Sequence, residues 1–404
     1  MFYDISMTEP RPRTETPPAR KTTFEVALAL SLHKPYDRQI VTGIARFLSE
    51  QDDWRLYVED EPDRKLPDRR RWSGDGVIAD LDDRNIARRA RQLRIPVVGV
   101  GGAVNEEANP GLHYVGTDND AIGRLGAEHL MECGFRSFGY CGLRPNRTTQ
   151  WATSRQAAFV ERLQEAGLET SVHVGRSQNT TNWESVQAGL TQWLHRIRKP
   201  AGIMACNDAR ARHVLEACHR QKLRVPDDIA LLGVDDDEII CLLGAPPISS
   251  IIQGTEQIGY TAARVLETLM RGKKVPELFQ IVPPRGVRVR GSTDVIATSQ
   301  PQVARAVSLI RTRLETITGT AVCDALSVSR PRLDQLFERE LGHSLHGQIK
   351  REKLRRAKHL LGTTDLPLKV VASRSGYRSP QYLSEVFRSE TRETPAHFRR
   401  QRRQ

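Results

Sequence analysis

Between residues 22 and 290, short apolar runs alternate with segments whose apolar side chains recur with a helical period. FEVALALSL at 24–32 is a continuous apolar run, and the segment after it carries a helix-spaced apolar face made of Ile40, Val41, Ile44, Ala45 and Leu48. The same order recurs where AGIMAC precedes DARARHVLEAC. Buried strands that alternate with amphipathic helices are typical of βαβ units around a parallel sheet. About ten such strands exceed one comfortable sheet, so we predict an α/β domain with two lobes.

Polar side chains stand where several of these strands end. They are Asp80, Asp118, Asn119, Asn207, Asp208, Asp235, Asp236 and Asp237. Capping of the next helix would explain any one of them. Parallel strands, however, end at one edge of their sheet, and ligands bind along that edge. We therefore predict a ligand cleft and select Asp118 as one of its ligand-binding residues. Tyr36 and Asp37 face the cleft from the end of the first strand, and Gln253 faces it from a crossing between the lobes.

The net charge of +12 is concentrated in the last quarter of the chain. Residues 301–404 contain 21 Lys and Arg against 10 Asp and Glu, whereas the rest of the chain contains 40 against 39. A strongly basic segment on a nearly neutral body favours contact with a polyanion such as nucleic acid. A solvated basic surface or a membrane surface would give the same charge pattern, so charge alone leaves these alternatives open.

The basic segment contains two copies of a short helix, a turn and a longer helix, which predicts two helix-turn-helix motifs. In the second copy Gly376 permits a tight turn, Ser379 suits the N-cap and Pro380 suits the first helical position. In the first copy Ser329 is the cap. We assign Leu333, Leu336 and Phe337, and Tyr382, Leu383, Val386 and Phe387, to the apolar faces of the longer helices. The residues predicted to contact DNA are Arg330, Arg332, Gln335, Ser379, Gln381, Tyr382, Ser384 and Arg388.

The second copy resembles the second helix-turn-helix of AraC/XylS-type transcription regulators. The positions that carry the resemblance are Gly376, Tyr377, Ser379, Tyr382, Phe387, Thr394, Pro395 and Arg399. Two positions depart from that pattern. Leu383 stands where Phe is usual, which keeps the core apolar, and Arg392 stands where Gly is usual, at a turn. The resemblance implies an all-α DNA-binding domain over 302–404.

Residues 22–291 resemble the sugar-binding core of LacI/GalR repressors, which is related to type I periplasmic binding proteins. The matching stretches are DGVI (75–78), TDN (117–119), SRQAAF (154–159), ND (207–208) and GVDD (233–236). The resemblance implies that Arg155, Asn207 and Asp235 contact the ligand. These groups suit a polyol, because carboxylates accept protons from hydroxyl groups and a guanidinium donates to neighbouring oxygens. Trp151 is our candidate for the ring that covers the apolar face of a sugar.

A LacI/GalR-like sensor followed by an AraC-type domain is the order found in the xylose operon activators, and the chain resembles that subfamily over nearly its whole length. The resemblance implies a cytoplasmic homodimer that binds D-xylose, operator DNA and RNA polymerase and activates transcription. It implies no cofactor, no metal and no membrane contact. Another pentose, a hexose or a non-sugar metabolite such as a purine remains an alternative ligand.

Two other classes of function fit the sequence less well. An enzyme is disfavoured because no acid/base motif, nucleophile elbow, phosphate-binding loop or metal-ligand spacing accompanies the acidic residues at 235–237. A transport binding protein shares the fold but would not need the basic C-terminal segment.

Three further expectations concern the organisation of the chain. Residues 1–21 are polar and Pro-rich, so we expect a disordered tail and no signal peptide. Residues 292–301 are expected to form a linker. Six cysteines without a Cys-x-x-Cys pair predict buried thiols and neither disulfides nor a zinc site.

Overall fold

The computed structural model describes residues 23–51, 53–58, 73–102, 111–146, 148–175, 183–295, 298 and 300–401. The expected tail over 1–21 lies outside the described residues. The described chain forms two α/β lobes followed by a helical domain.

The first lobe is built on a sheet of parallel strands. These are β1 (Phe24–Ala29), β2 (Trp54–Val58), β3 (Gly76–Asp80), β4 (Val97–Gly101), β5 (His113–Thr117) and β11 (Phe279–Val282), in the order β11-β5-β4-β3-β1-β2. Helices α1 (Pro35–Leu48) and α8 (Thr255–Met270) cover one face, and α2 (Arg84–Ala90) covers the other. β3 and β4 are buried along their whole length, and sheets covered on both faces need strands that are apolar without alternation.

The second lobe repeats this plan with one antiparallel edge strand. Its strands are β6 (Phe138–Leu143), β7 (Thr170–Gly175), β8 (Ala201–Ala205), β9 (Ile229–Val234), β10 (Ser249–Ile252) and β12 (Gly286–Arg288), in the order β12-β10-β9-β8-β6-β7. Only β12 runs antiparallel to its neighbour. Helices α3 (Asn119–Glu132) and α4 (Gln150–Glu165) cover one face, α5 (Trp183–Arg196) and α6 (Asp208–Arg220) cover the other, and the short α7 (Glu238–Leu242) follows β9.

Within the described chain, the backbone passes between the lobes three times. The crossings join β5 to α3, β10 to α8, and β11 to β12. Their short connecting segments at 118, 253–254 and 283–285 form the hinge. The contacts made by residues on these segments therefore depend on the relative orientation of the two lobes.

The helical domain follows the second lobe and has two separate cores. Its helices are α9 (Pro301–Thr312), α10 (Gly319–Leu326), α11 (Arg330–Leu341), α12 (Leu345–Thr363), α13 (Leu368–Arg374), α14 (Pro380–Thr391) and α15 (Pro395–Gln401). One core packs α9 to α11 against the start of α12, and the other packs α13 to α15 against the rest of α12. The single long helix α12 thus connects two helix-turn-helix motifs.

The main expectations agree with this fold, and several details do not. The α/β class, the two lobes, the helix-turn-helix pair and the buried free thiols are confirmed. The alternating pattern between residues 22 and 290 does not predict β7 or α5, and the strand-like region at its end, 279–290, forms two strands in different sheets. The expected linker differs at its start, because Ser292 and Thr293 form a 3-10 turn that is buried in the second lobe.

We predict that Gly376→Ala destabilises the helical domain more than Gly342→Ala. Both glycines have φ near +70°, at +73° and +71°, so both substitutions place a side chain in the left-handed region at a cost of about 1 kcal/mol. Only at Gly376 would the new Cβ lie 2.3 Å from a backbone oxygen, that of Leu314, whereas nothing lies within 4 Å at Gly342. Overpacking should add ~1–3 kcal/mol. Calorimetric unfolding of the full chain measures both, and equal shifts would contradict the crowding at Gly376.

Candidate functional site

Arg155 on α4 is buried at the hinge and connects two of its crossings. Its Nε donates to Asn119 Oδ1, its Nη2 donates to Gln253 Oε1, and its Nη1 donates to the carbonyl of Cys206, each at 2.8 Å. Asn119 begins α3 after the first crossing, Gln253 lies on the second, and Cys206 follows β8. One guanidinium thereby connects two of the three hinge crossings with the end of a central strand.

The same network reaches Asp235 at the end of β9. Gln253 accepts from Arg155 through Oε1 and donates through Nε2 to Asp235 Oδ1. Gln39 of α1 donates to the backbone oxygen of Asp235 at 3.0 Å, which is a contact between the two lobes. Burial raises the pKa of Asp235 above its ordinary value, although the nearby Arg155 charge opposes the shift. Asp235 therefore lies where the hinge, the first lobe and the second lobe meet.

The backbone that presents Asp235 is strained. Asp235 and Asp236 have φ of 111° and 52°, values that residues with a side chain rarely adopt. The buried Asp208 holds this turn, since its Oδ2 accepts from the backbone nitrogen of Asp237 at 2.8 Å and its Oδ1 accepts from Ser250 Oγ at 2.6 Å. Ser250 Oγ in turn accepts from the backbone nitrogen of Asp236 at 2.9 Å. Asp208 is thus a structural residue that fixes the turn.

The first lobe contributes a second polar group to the same region. The Tyr36 hydroxyl donates to the Gly101 carbonyl and shares a hydrogen bond with Thr117 Oγ1, both at 2.8 Å. Asn119 Nδ2 donates to the Gly102 carbonyl at 2.5 Å, and the Gly102 nitrogen donates to Asp82 Oδ2 at 2.8 Å. The hydrogen bonds therefore run without a break from Asp82 through Asn119 to Arg155.

Lys34, just before α1, adds a cation that is already neutralised. Its Nζ lies 2.6 Å from Asp80 Oδ2. Burial alone would lower the pKa of Lys34, but the charges of Asp80 and Asp37 outweigh it and raise that pKa. The sequence patterns did not identify Lys34, Asp82 and Asn119 as ligand-site residues. The polar strand end TDN contained the signal for Asn119, but we selected its neighbour Asp118.

The structure brings four of the predicted ligand residues together and gives others a local role. Arg155, Gln253 and Asp235 form one chain of hydrogen bonds, and the Trp151 ring covers the Arg155 guanidinium at 4.6 Å. Asp37 accepts from the backbone nitrogen of Ser31 at 2.6 Å. Asp118 caps α3, and Asn207 caps α6 through its Oδ1. Tyr36 and Asp37 lie in the first turn of α1, after the end of the first strand.

The predicted DNA-contacting residues lie on α11 and α14, the second helices of the two motifs. On α11, Arg332 and Gln335 are exposed, and Arg332 Nη1 donates to Gln335 Oε1 at 3.3 Å. Arg330 is exposed too, but its Nε donates to Asp334 Oδ2 at 2.7 Å, and Asp334 also binds the start of α12. Ser329 takes the N-cap position without a side-chain hydrogen bond. The guanidinium of Arg330 is therefore held by a carboxylate, whereas that of Arg332 bonds to an uncharged amide.

On α14, Gln381 and Arg388 are exposed, whereas the two serines have internal partners. Ser379 caps the helix, and Ser384 Oγ donates to the Pro380 carbonyl at 2.9 Å. We assigned Tyr382 to the apolar face, but its side chain is 41% exposed. It lies in the first turn of the helix and is not part of the hydrophobic core that contains its neighbour Leu383. Arg378 was not among the predicted DNA-contacting residues. Its Cζ lies 4.8 Å from the centroid of the Tyr382 ring.

None of the helices among the described residues has the length and apolarity needed to span a membrane. No group of His, Cys, Asp and Glu in that part of the chain is arranged to hold a metal ion.

Models of known families match three successive parts of the chain. A model of the XylR N-terminal domain matches residues 25–120, a model of a periplasmic binding protein-like domain matches 127–293, and a model of a helix-turn-helix domain matches 322–401. A cellobiose complex of the regulator CelR shares the sensor fold, with a TM-score of 0.54 at 22% identity over 67% of this chain and 85% of that one.

Full-length relatives are also found. The xylose operon regulatory protein of Haemophilus influenzae is 36% identical over 93% of this chain and 98% of its own length, and that of Escherichia coli K12 is 35% identical over 93% and 96%. A solved structure titled as the xylose-binding transcription activator XylR has a TM-score of 0.63 and 34% identity, covering 94% of this chain and 98% of that one.

These relatives are transcription regulators and not enzymes, and they match both the lobes and the helix-turn-helix domain. The chain therefore belongs to the family of xylose operon regulatory proteins, DNA-binding regulators that join a periplasmic-binding-protein-like sensor to a helix-turn-helix domain.

Proposed function

We propose that the protein is a D-xylose-dependent transcription activator that binds the sugar between its two lobes and operator DNA through α11 and α14. The observation that carries this proposal is the placement of Arg155, which binds residues at two of the three hinge crossings and, through Gln253, the carboxylate of Asp235. A ligand that bonds to Asp235 and Arg155 would alter the hinge itself. The names of the relatives support xylose as that ligand and activation as the outcome.

The charges around the hinge support an uncharged, hydroxyl-rich ligand. The Lys34 ammonium is bound by Asp80, and the Arg155 nitrogens already donate to an amide side chain, a second amide side chain and a carbonyl. A phosphorylated sugar would bring added negative charge close to Asp80, Asp82 and Asp235 with both cations already bonded. A neutral pentose instead offers donors to the carboxylates and acceptors to the remaining N–H groups.

Lobe closure gives the sugar its effect. A ligand shifts an equilibrium between open and closed forms only by binding one form more tightly. Asp235, Gln253 and Arg155 belong to the second lobe or the hinge, whereas Tyr36, Asp80 and Asp82 belong to the first. A sugar held by both sets would therefore favour the closed form.

The helical domain is suited to reading an extended operator. α12 has 19 residues and so spans about 28 Å, similar to one turn of DNA, and it holds one helix-turn-helix near each end. Arg332 and Gln335 of α11 and Gln381 and Arg388 of α14 are exposed in the full chain, so DNA can reach both helices. We propose that a homodimer presents four such motifs and that sugar changes their spacing and their contact with RNA polymerase.

We expect D-xylose to bind the wild-type chain and Asp235→Asn to weaken that binding about 10- to 100-fold. The substitution removes a charged acceptor, and hydrogen bonds to charged groups contribute about 1.5–3 kcal/mol. Asn is the right replacement because it tolerates the positive φ at this position, whereas Ala would add strain. Titration calorimetry with D-xylose, other pentoses and hexoses measures the effect.

Asp227→Asn is the matched control, since Asp227 is an exposed carboxylate of the second lobe paired with Arg224. It should bind sugar like the wild type. Equal affinity in Asp235→Asn and the wild type would contradict the assignment of Asp235, and heat with another sugar but not xylose would change the ligand.

We expect Arg332→Ala and Arg388→Ala each to weaken operator binding by about 1–3 kcal/mol, with sugar binding unchanged. Both arginines are exposed on the helices assigned to the major groove. Arg330→Ala should cost less in base recognition, because its guanidinium is held by Asp334. Fluorescence anisotropy with an operator duplex at fixed salt measures these affinities.

Arg224→Ala controls for net charge, because it removes one exposed positive charge far along the chain from the helical domain. If it weakened operator binding as much as Arg332→Ala, the effect would be general electrostatics and the assignment of α11 would fail.

A further inference from the structure

Arg311 lies where the sensor meets the helical domain and binds a carboxylate on each side. Its Nη1 lies 3.0 Å from Asp294 Oδ1, and its Nε donates to Glu352 Oε1 at 3.0 Å. Asp294 follows the 3-10 turn Gly291–Thr293 of the sensor, whereas Glu352 is on α12. The Arg311 side chain is only 12% exposed, so this contact is shielded from solvent on the arginine side.

Asp294 is fixed to the second lobe. The two residues before it are buried, and Ser292 Oγ donates to the Leu231 carbonyl of β9 at 2.5 Å. Thr293 Oγ1 lies 2.8 Å from Ser249 Oγ of β10 and 2.9 Å from His129 Nε2 of α3. Burial, together with the charges of Arg355 and Arg311, lowers the pKa of His129 to about 3, so the imidazole in this contact is neutral. Any movement of the second lobe must therefore carry Asp294 with it.

Glu352 is equally fixed to the helical domain. Its side chain is 4% exposed and accepts from Gln348 at 3.0 Å and from Arg355 at 2.8 Å, in addition to Arg311. Burial opposes its ionisation, but the guanidinium groups of Arg355 and Arg311 hold the pKa of Glu352 below its ordinary value. Because α12 belongs to both helical cores, a force on Glu352 acts on both DNA-reading motifs together.

The first lobe faces the helical domain across open space. A cavity of about 1550 Å³ lies between the sensor and the helical domain, and both lobes line it. Arg38 and Thr42 of the first lobe line this space together with Arg313 of the helical domain. The second lobe lines it as well, but at Asp294 the second lobe is bridged to the helical domain by Arg311. The bridge therefore joins the helical domain to the second lobe.

We propose that Arg311 is the positioning residue that makes the helical domain follow the second lobe, so that sugar-driven closure turns α12 and its two DNA-reading motifs relative to the first lobe. The proposal rests on the proposed sugar response. Arg311 suits this role because its planar guanidinium donates from two different nitrogens to two carboxylates at once. A lysine at this position could place only one ammonium between them.

The test measures the affinity of the full chain for an operator duplex with and without saturating D-xylose. The duplex is the one that the wild-type protein selects from a random pool with D-xylose present. The ratio of the two affinities measures the coupling. We expect Asp294→Asn and Arg311→Lys to bind D-xylose like the wild type but to reduce the ratio about fivefold or more. Asp294→Glu, which keeps the charge, should restore most of the ratio.

Asp53→Asn is the matched control, because Asp53 is a similarly exposed carboxylate whose partner, Arg271, is within the first lobe. It should leave the ratio unchanged. A wild-type ratio well above one that persists in both Asp294→Asn and Arg311→Lys would overturn the role of Arg311. A wild-type ratio of one, or no binding of D-xylose, would instead overturn the proposed function.

Discussion

The sensor depends on the burial of one positive charge, that of Arg155, at its hinge. A guanidinium removed from water is costly unless its N–H groups find acceptors. Here the acceptors are Asn119 and Gln253, which lie at two of the hinge crossings, and the carbonyl of Cys206 at the end of a central strand. Because these acceptors belong to separate crossings, the charge is satisfied only when the crossings keep a defined arrangement. The position of the lobes and the solvation of Arg155 are therefore linked before any ligand arrives.

The turn at Asp235 shows how the second lobe maintains an unfavourable backbone. Two successive non-glycine residues with positive φ cost of order 1–3 kcal/mol each and persist only where other contacts determine them. Asp208 supplies those contacts through the backbone nitrogen of Asp237 and through Ser250. Gly233 is required beside it, because a Cβ there would lie 2.0 Å from Asp208 Oδ1. The carboxylate that we assign to the ligand is thus presented by a turn that its neighbours hold in place.

Local patterns in the sequence were sufficient for the architecture but not for the hinge. Alternation of apolar runs with helical periodicity predicted the lobes, and cap, turn and apolar spacing predicted both helix-turn-helix motifs. The same patterns could not separate Asp118, which caps α3, from Asn119, which binds Arg155, because the difference arises from a partner 36 residues away. Ser292 and Thr293 were predicted to lie in the linker for the same reason. Polar residues are expected at the surface, and the buried Ser249 to which both side chains bond is more than 40 residues away in the sequence. Both of these errors concern polar residues whose roles are set by long-range hydrogen bonds.

The separation of the cores explains why few contacts can control the helical domain. None of the hydrophobic clusters among the described residues combines side chains of the lobes with side chains of α9 to α15. Domains joined without a shared apolar core move relative to one another at low cost. The orientation of the helical domain is then set by polar contacts such as those of Arg311, each of them weak on the scale of folding. Coupling between ligand sites is typically only 1–3 kcal/mol. A few ion pairs at a polar boundary can therefore supply such coupling, whereas a packed apolar boundary would hold the two domains in one orientation.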